Sequence, residues 1–393
     1  MMKIKLFIFF FFTAFVTFSF GSKKADNQQV VIEKHYEIIL PDAFKAELNT
    51  LSVPQLPGYE AFLLEGEINY GIPVIGVGDI MLGTNYPNES YLPLNDGAGL
   101  LSRLEDILKS ATVTFGNLEG VILDEGGTVK KCQNPDLCYA FRMPEVFVDN
   151  LVNAGFDMVS IANNHTGDFG SEGRKRTVEV LEENNIAYAG ILEYPKAIIK
   201  SHGIKFGMAA FSPNTGTVSI HDLRNASKIV NELKEECDIV IVSFHGGAEG
   251  AKHQNVECKT EYYYGENRGN VCKFARAVID AGADIVFGHG PHVTRSVDVY
   301  KGRFIIYSLG NFCTYGRFNL RGENGIAPLV KVYVDKDGSF LKAEVTPIIQ
   351  IKRGVPIIDR HNRAVKSLQR LLREDFPGSA LNITDDGQII LAR

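Results

Sequence analysis

Between residues 73 and 311 nearly every short apolar run ends in Gly, Asn, Asp, Glu or His, and this placement constrains the fold more than any other feature of the chain. PVIGVG at 73–78 runs into Asp79, and TVTFG at 112–116 runs into Asn117, Leu118 and Glu119. MVSIA leads into Asn163, Asn164 and His165, and IVIVSF into His245, Gly246 and Gly247. DIVFG is followed by His289, Gly290, Pro291 and His292, and FIIYSLG by Asn311. Short β-branched runs bounded by turn formers read as buried strands. On that basis strands are expected at 73–78, 112–116, 156–162, 187–192, 205–211, 238–244, 284–287 and 303–309. Helical patterns fall between and beyond them, at 98–109, 144–154, 171–185, 224–236, 271–282 and 361–373. Such alternation argues for an α/β fold with strands covered by helices. Residues 328–351 differ and read as an antiparallel hairpin closed by turn chemistry at 335–338 (DKDG). The tail from Arg360 reads as a basic amphipathic helix followed by a short polar ending.

In α/β sheets the carboxyl ends of the strands share one edge, where loops bring several side chains to one point. The types expected to meet here are His, Asp, Glu and Asn. That mixed nitrogen and oxygen set suits Mn, Fe or Zn better than soft, thiol-loving ions. A bridging carboxylate can hold two such ions, which polarise a phosphoryl or carbonyl oxygen and supply hydroxide at neutral pH. One strand-end Asn or His is ordinarily a turn or cap residue, but five independent strand ends carrying ligand types are not explained that way. His35, His202, His221, His253 and His361 fall off the pattern and read as surface or packing residues. The tyrosines at 262–264 read as a packed or disulfide-tethered loop, or else as the wall of a polymer cleft. The GRKR run at 173–176 reads as a solvated helix face; Arg174, Lys175 and Arg176, with Arg142, are the candidates for a basic groove. Neither a G-x-S-x-G elbow nor a phosphate-binding P-loop pattern occurs, so serine-hydrolase chemistry and ATP-driven synthesis have no support.

The chain has 393 residues, 45% hydrophobic and 22% charged, which is globular composition and long enough for a sizeable core. Lys3 and Lys5 precede an apolar run at 6–20, and Ser19-Phe20-Gly21 offers a small-x-small cleavage site. A secretory signal peptide over 1–21 is therefore expected, with an uncleaved anchor as the alternative. Cleavage removes Lys3 and Lys5 and takes the formal net charge from −6 to −8. With no basic excess, a nucleic-acid partner is not expected. Export, to the periplasm or the exterior, admits disulfides. The expected pairs are Cys132 with Cys138 and Cys258 with Cys272, with Cys237 and Cys313 as buried thiols. Residues 22–70 read as a leader broken by Pro41, Pro54 and Pro57, 71–355 as the main domain, and 356–393 as a helix and tail packed on it.

Six stretches in order carry a resemblance: GVGDIMLG (76–83), FGNLEG (115–120), AGFDMVSIANNHTGDFG (154–170), VSFHGGAEG (242–250), AGADIVFGHGPHV (281–293) and YSLGNF (307–312). Together they resemble the capsule-synthesis CapA family, also called the poly-γ-glutamate biosynthesis protein family, which is related to calcineurin-like metallophosphoesterases. The resemblance implies a four-layer α/β/β/α sandwich of the metallophosphoesterase type, with a C-terminal hairpin and helix. It implies a site at the crest of that sandwich for one or two divalent transition ions (Mn, Fe or Zn). By position, Asp79 matches the first metal carboxylate, Glu119 a bridging carboxylate, Asn164 the ligand amide, and His245, His289 and His292 the later metal histidines. His165 matches the histidine that stabilises charge or protonates the leaving oxygen. Asn117, Asp168, Glu249 and Asn311 also fall in family motifs and are expected to support the ligands or face the substrate. Two departures weaken a second ion position: Met81 stands where relatives have the His of an Asp-x-His opening, and Gly290 where many have a second His. The function implied is that of an exported, phosphoesterase-type hydrolase in capsule or envelope polymer biosynthesis. Its substrate would be an anionic polymer or a phosphoester, and its partners membrane-bound capsule-synthesis proteins. The alternatives are a polymer-binding assembly component without chemistry and a stand-alone secreted phosphoesterase.

Overall fold

Charge-free runs of Val, Ile and Phe can bury both faces only inside a layered sheet. A computed structural model describes residues 56–64, 67–132 and 138–392, and the expected signal segment lies outside them. The chain divides into two units, 1–71 and 72–393. The described part of the first unit is an antiparallel hairpin in which Glu60 faces Gly71.

The second unit holds two sheets. One runs Leu381–Ile383, Gln388–Leu391, Phe340–Ile351, Ile326–Val334, the part of Glu67–Met81 from Ile72 onward, Val113–Leu118, Met158–Ser160, Ala187–Ala189, with Asn311–Thr314 added in parallel beside Asp79–Met81. The other runs Val297–Tyr300, Arg303–Ile306, Ile285–His289, Ile239–His245, Ile204–Phe211, Lys196–Ser201. The centre of each is parallel. Helices Val148–Ala154 and Gly170–Glu183 bury Leu151, Val178 and Leu181 with Val77 and Val159 of the first sheet. Helices Leu223–Glu236 and Val271–Asp280 bury Val230, Leu233, Phe274 and Val278 with Val240 and Val286 of the second. Both of these helices begin at a side-chain cap: Asp222 accepts the Asn225 N–H at 3.0 Å and Asn270 the Lys273 N–H at 2.9 Å. The inner faces meet where Phe115 stacks on Phe287 with ring centroids 5.6 Å apart. The order of layers is therefore α/β/β/α.

The hairpin expected at 328–351 forms from Ile326–Val334 and Phe340–Ile351, and the Gly338 N–H closes its turn on the Asp335 carbonyl at 2.9 Å. Both expected disulfides form, and Cys237 and Cys313 are buried thiols. Two of the regions that differ from expectation are the helix read at 98–109 and the polar ending. Only Glu105–Leu108 of 98–109 is α-helical, because Gly97 and Gly99 adopt φ of +75° and +91° and turn the chain before it. The polar ending is not irregular: Leu381–Ile383 and Gln388–Leu391 pair around 385–387 and extend the first sheet, burying Leu381, Ile383 and Ile389. Among the described residues no helix is long and apolar enough to cross a membrane.

Candidate functional site

Strand register decides which polar side chains meet. In the first sheet Asp79 is the in-register partner of Asn117 on one side and of Asn311 on the other. In the second sheet His245 is the partner of His289. Gly78 makes the first row possible, since a Cβ there would lie 1.9 Å from the Gly310 carbonyl oxygen. The Asp79 N–H donates to that same oxygen at 2.8 Å. The two rows open on one point: Asp79, Glu119 and His245 each present a ligand atom within 4.8 Å of the others, and all three are buried.

Asp79 Oδ1 accepts from Asn117 Nδ2 at 2.9 Å, and Oδ2 lies 3.0 Å from His292 Nδ1. Burial pushes the Asp79 carboxyl up, but the His292 bond and charge win and hold it down to about 2. His292 behaves inversely: burial disfavours its charge, and Glu119 and Asp79 raise it to about 10. Glu119 is completely buried, and neither of its oxygens has a hydrogen-bond partner among the described residues. Burial, and then the charge of Asp79, holds its carboxyl well above the usual range. His245 has both ring nitrogens unpartnered, and burial pushes it well below 6.5. Asn164 Oδ1 is also buried without a partner. Buried polar atoms seldom go unpaired. Those of Glu119 and His245 are carboxylate and imidazole donors that meet Asp79 at one point, which is the donor chemistry of a divalent ion of borderline softness. The residues present therefore fit the implied metal.

His165 stands to one side. Its Nδ1 is 2.7 Å from Asp168 Oδ2, and its Nε2 is 4.0 Å from Glu119 Oε1. Asp168 is fully buried; it also accepts the Phe141 N–H at 2.7 Å and pairs with Lys130 at 2.5 Å. With Asp168 Oδ2 as the acceptor, Nδ1 is the donor and Nε2 is left facing Glu119. Burial lowers the pKa of His165 against the pull of Asp168. Asn163 ties the loop down, donating to Asn117 Oδ1 at 3.1 Å and Leu118 O at 2.8 Å and accepting the His165 N–H at 3.0 Å.

Other expected residues are placed differently. His289 stands beside His245 in register, but its Nε2 is 3.1 Å from the Val77 carbonyl and its Nδ1 3.2 Å from Ser243 Oγ, so both nitrogens are engaged away from the cluster. Asn311 holds the His292 loop through His292 Nδ1 at 3.1 Å and the His292 carbonyl at 3.2 Å. Glu249 pairs with Arg268 at 3.0 Å. Met81 is fully buried in the apolar cluster. Of the GRKR run, Arg176 is held by Glu145, Glu179 and Glu183, and Lys175 reaches Glu179 at 3.5 Å. Arg142 bonds Asn85 at 2.7 Å and lies over Phe169. Sequence reasoning did not single out Lys130, Arg268, or the aromatic wall of Phe141 and Phe318. Phe141 stacks on His165 with centroids 4.2 Å apart, and Phe318 lies 5.1 Å from Phe141 and 5.2 Å from His292. No strand-end pattern marks these residues: Lys130, Phe141 and Phe318 lie outside the named strands, and Arg268 lies inside the short strand Glu266–Gly269.

Residues 73–315 match the family model described as bacterial capsule synthesis protein PGA_cap. The chain is 30% identical over 256 residues to the capsule biosynthesis protein CapA of Bacillus anthracis, covering 60% of this chain and 58% of that relative's own length. It is 27% identical over 374 residues to the PGA biosynthesis protein CapA of Bacillus subtilis (strain 168), covering 90% of this chain and 89% of that one. Among solved structures, a hypothetical protein from Thermus thermophilus aligns at TM-score 0.43 and 15% identity over 70% of this chain and 98% of its own.

Proposed function

The chain belongs to the bacterial capsule synthesis protein PGA_cap family, and from that premise we propose that it is an exported protein of capsule or envelope polymer metabolism working through a phosphoesterase-type divalent-metal site. The observation that carries the proposal is the set of buried, unpartnered ligand atoms on Glu119 and His245 beside Asp79. The names of the two Bacillus relatives, which speak of capsule and PGA biosynthesis, support the polymer reading. The basic, apolar, small-residue order of 1–21 supports export.

Asp79, Glu119 and His245 are the ligands of this reading, with Asn164 Oδ1 as a further donor. His289 and His292 join only by giving up their present hydrogen bonds, which favours one strong ion position over two. A divalent transition ion, Mn, Fe or Zn, supplies Lewis-acid polarisation of a phosphoryl or carbonyl oxygen and acidifies a water. The chain's own residues do the rest. Asn117 fixes the Asp79 carboxylate. Asp168, paired with Lys130, orients His165 and offsets part of the burial that lowers its pKa. His165 Nε2 is then the atom that holds a proton for a leaving oxygen.

The engagement of His289 favours one second reading, a polymer-binding assembly component that keeps the ion and performs no hydrolysis. Elemental analysis of the purified protein, with a chromogenic phosphoester assay, tests both. Retained metal that is lost in Glu119→Gln and His245→Ala is expected. So is hydrolysis that falls roughly 100-fold in His165→Ala while metal stays bound. Metal without hydrolysis selects the assembly reading. No ion after reloading with Mn, Fe or Zn overturns both.

A further inference from the structure

Two guanidinium groups stand at the rim of the site with no acid to pair them among the described residues. Arg317 precedes the wall residue Phe318, and Arg353 lies on the turn after Phe340–Ile351. The Gly316 N–H donates to the Arg353 carbonyl at 2.7 Å, which stitches the two turns together. The Arg317 guanidinium stands 5.0 Å from the ring centre of Tyr91 and 4.9 Å from that of Tyr139. That of Arg353 stands 5.9 Å from Tyr91 and 5.4 Å from Tyr315. Tyr91 therefore serves both cations. Their hydrogen bonds go to backbone carbonyls, Arg317 to Tyr86 at 3.5 Å and Arg353 to Ser90 at 2.8 Å.

Neither arginine has a carboxylate within ion-pairing distance among the described residues, although the chain carries 47 acidic side chains against 41 basic. Arg176, Arg268, Arg295, Arg363 and Arg370 each have one. Stacking on tyrosine occupies a guanidinium's faces and leaves its N–H edges to take an anion. The surface is open: Arg353 is exposed and Tyr139 is 42% exposed. It is also anchored, because Tyr139 follows Cys138 of the Cys132–Cys138 disulfide. Finally, it is continuous with the site. Phe318 meets both Phe141 and His292, and Phe141, two residues past Tyr139, stacks on His165.

We propose that Arg317 and Arg353, set on Tyr91, Tyr139 and Tyr315, form a platform for an acidic polymer that bears carboxylates along its length, and that the platform leads this polymer to the cluster at Asp79 and Glu119. The inference rests on the polymer reading of the function and adds where the polymer is held. Two forks sharing one ring suit successive carboxylates of one chain, so occupancy of the first raises the effective concentration at the second.

Fluorescence anisotropy of a labelled γ-linked oligoglutamate on the purified protein tests it. An Arg317→Ala/Arg353→Ala double variant is expected to weaken binding roughly 10–100-fold, with each charge-assisted guanidinium–carboxylate pair worth about tenfold. The dependence of affinity on salt should flatten in step. Metal content and phosphoester hydrolysis should stay at the wild-type level, so loss of the platform is read separately from failure of the metal site. Tyr139→Leu, which keeps both charges, should weaken binding less and leave the salt dependence unchanged. Equal affinity of wild type and double variant overturns the proposal. Tighter binding of inorganic polyphosphate than of oligoglutamate overturns its carboxylate specificity, and equal competition by free glutamate overturns its polymer character.

Discussion

Taking a carboxylate out of water disfavours its charged form, and Asp157 shows this away from the site. Its Oδ2 accepts the Thr114 N–H at 2.8 Å, yet burial outweighs that bond and raises it from 3.8 to about 6. A carboxyl whose folded value is raised holds its proton more tightly in the folded state. Stability attributable to Asp157 therefore falls as pH climbs from about 4 to about 6 and is flat above. Asp157→Asn keeps an acceptor for Thr114 without the charge. Relative to wild type, the variant should gain roughly 1–3 kcal/mol between pH 4 and pH 7, a range that allows for Asp157's partial exposure. Urea unfolding at both pH values measures the gap, and a gap that does not change with pH rejects the assignment. The same physics explains which site residues were legible in the sequence. Asp79, Glu119 and His245 stand in or just past the ends of strands, and their ligand atoms come within 4.8 Å of one another. The engagement of His289 by Val77 and Ser243 was not legible, because it depends on the two sheets meeting. Lys130 and Phe318 were not legible either, since each meets its partner across a gap in sequence, Lys130 with Asp168 and Phe318 with Phe141.

At the scale of elements, turn chemistry was the strongest signal. The DKDG turn at 335–338 forms as read, with Asp335 Oδ1 accepting the N–H groups of Asp337 and Ser339, each at 2.9 Å. Gly338 does more than turn the chain at φ +77°: a Cβ there would lie 2.0 Å from Asp284 Oδ1. Asp284 is itself fixed, taking the Val240 N–H at 2.8 Å and Lys234 at 2.9 Å just before the Ile285–His289 strand. Gly302 has a similar φ of +74° but nothing within 4 Å. Gly302→Ala should cost about 1 kcal/mol for its backbone conformation alone. Gly338→Ala adds the collision and should cost roughly 2–4 kcal/mol. Denaturant midpoints of the two variants check this, and equal losses would mean that Asp284 moves aside freely. The elements that were not legible have equally local causes. Glycines at 97 and 99 cancel a helical pattern that apolar spacing alone supports. The strands Leu381–Ile383 and Gln388–Leu391 are short, and only pairing with Phe340–Ile351, remote in sequence, gives their alternation a buried side.

At the scale of the whole second unit, the cluster lies where two separately wound sheets converge. Asp79 comes from a central strand of one sheet and His245 from a central strand of the other, with ligand atoms within 4.8 Å. A divalent ion held between them would link the sheets and balance two buried carboxylates that otherwise share His292 as their cation. An ion that binds only the folded chain stabilises it by about 2.7 kcal/mol at a hundredfold excess over its Kd. For a domain of this size that is a rise in Tm of roughly 3–5 °C. Chelation should therefore lower the melting temperature, and readdition of Mn, Fe or Zn should restore it. Asp79→Asn should lose this response and also melt below the metal-free wild type, because it removes the buried anion that pairs with His292 at 3.0 Å. Calorimetry of both proteins, with and without metal, distinguishes the cases. If wild type melts identically in chelator and in excess metal, the sheets are held by packing such as Phe115 on Phe287, and the cluster takes no ion that matters to the fold. If both proteins respond equally, the ion binds without Asp79, and the ligand set must shift toward Glu119, Asn164 and His245.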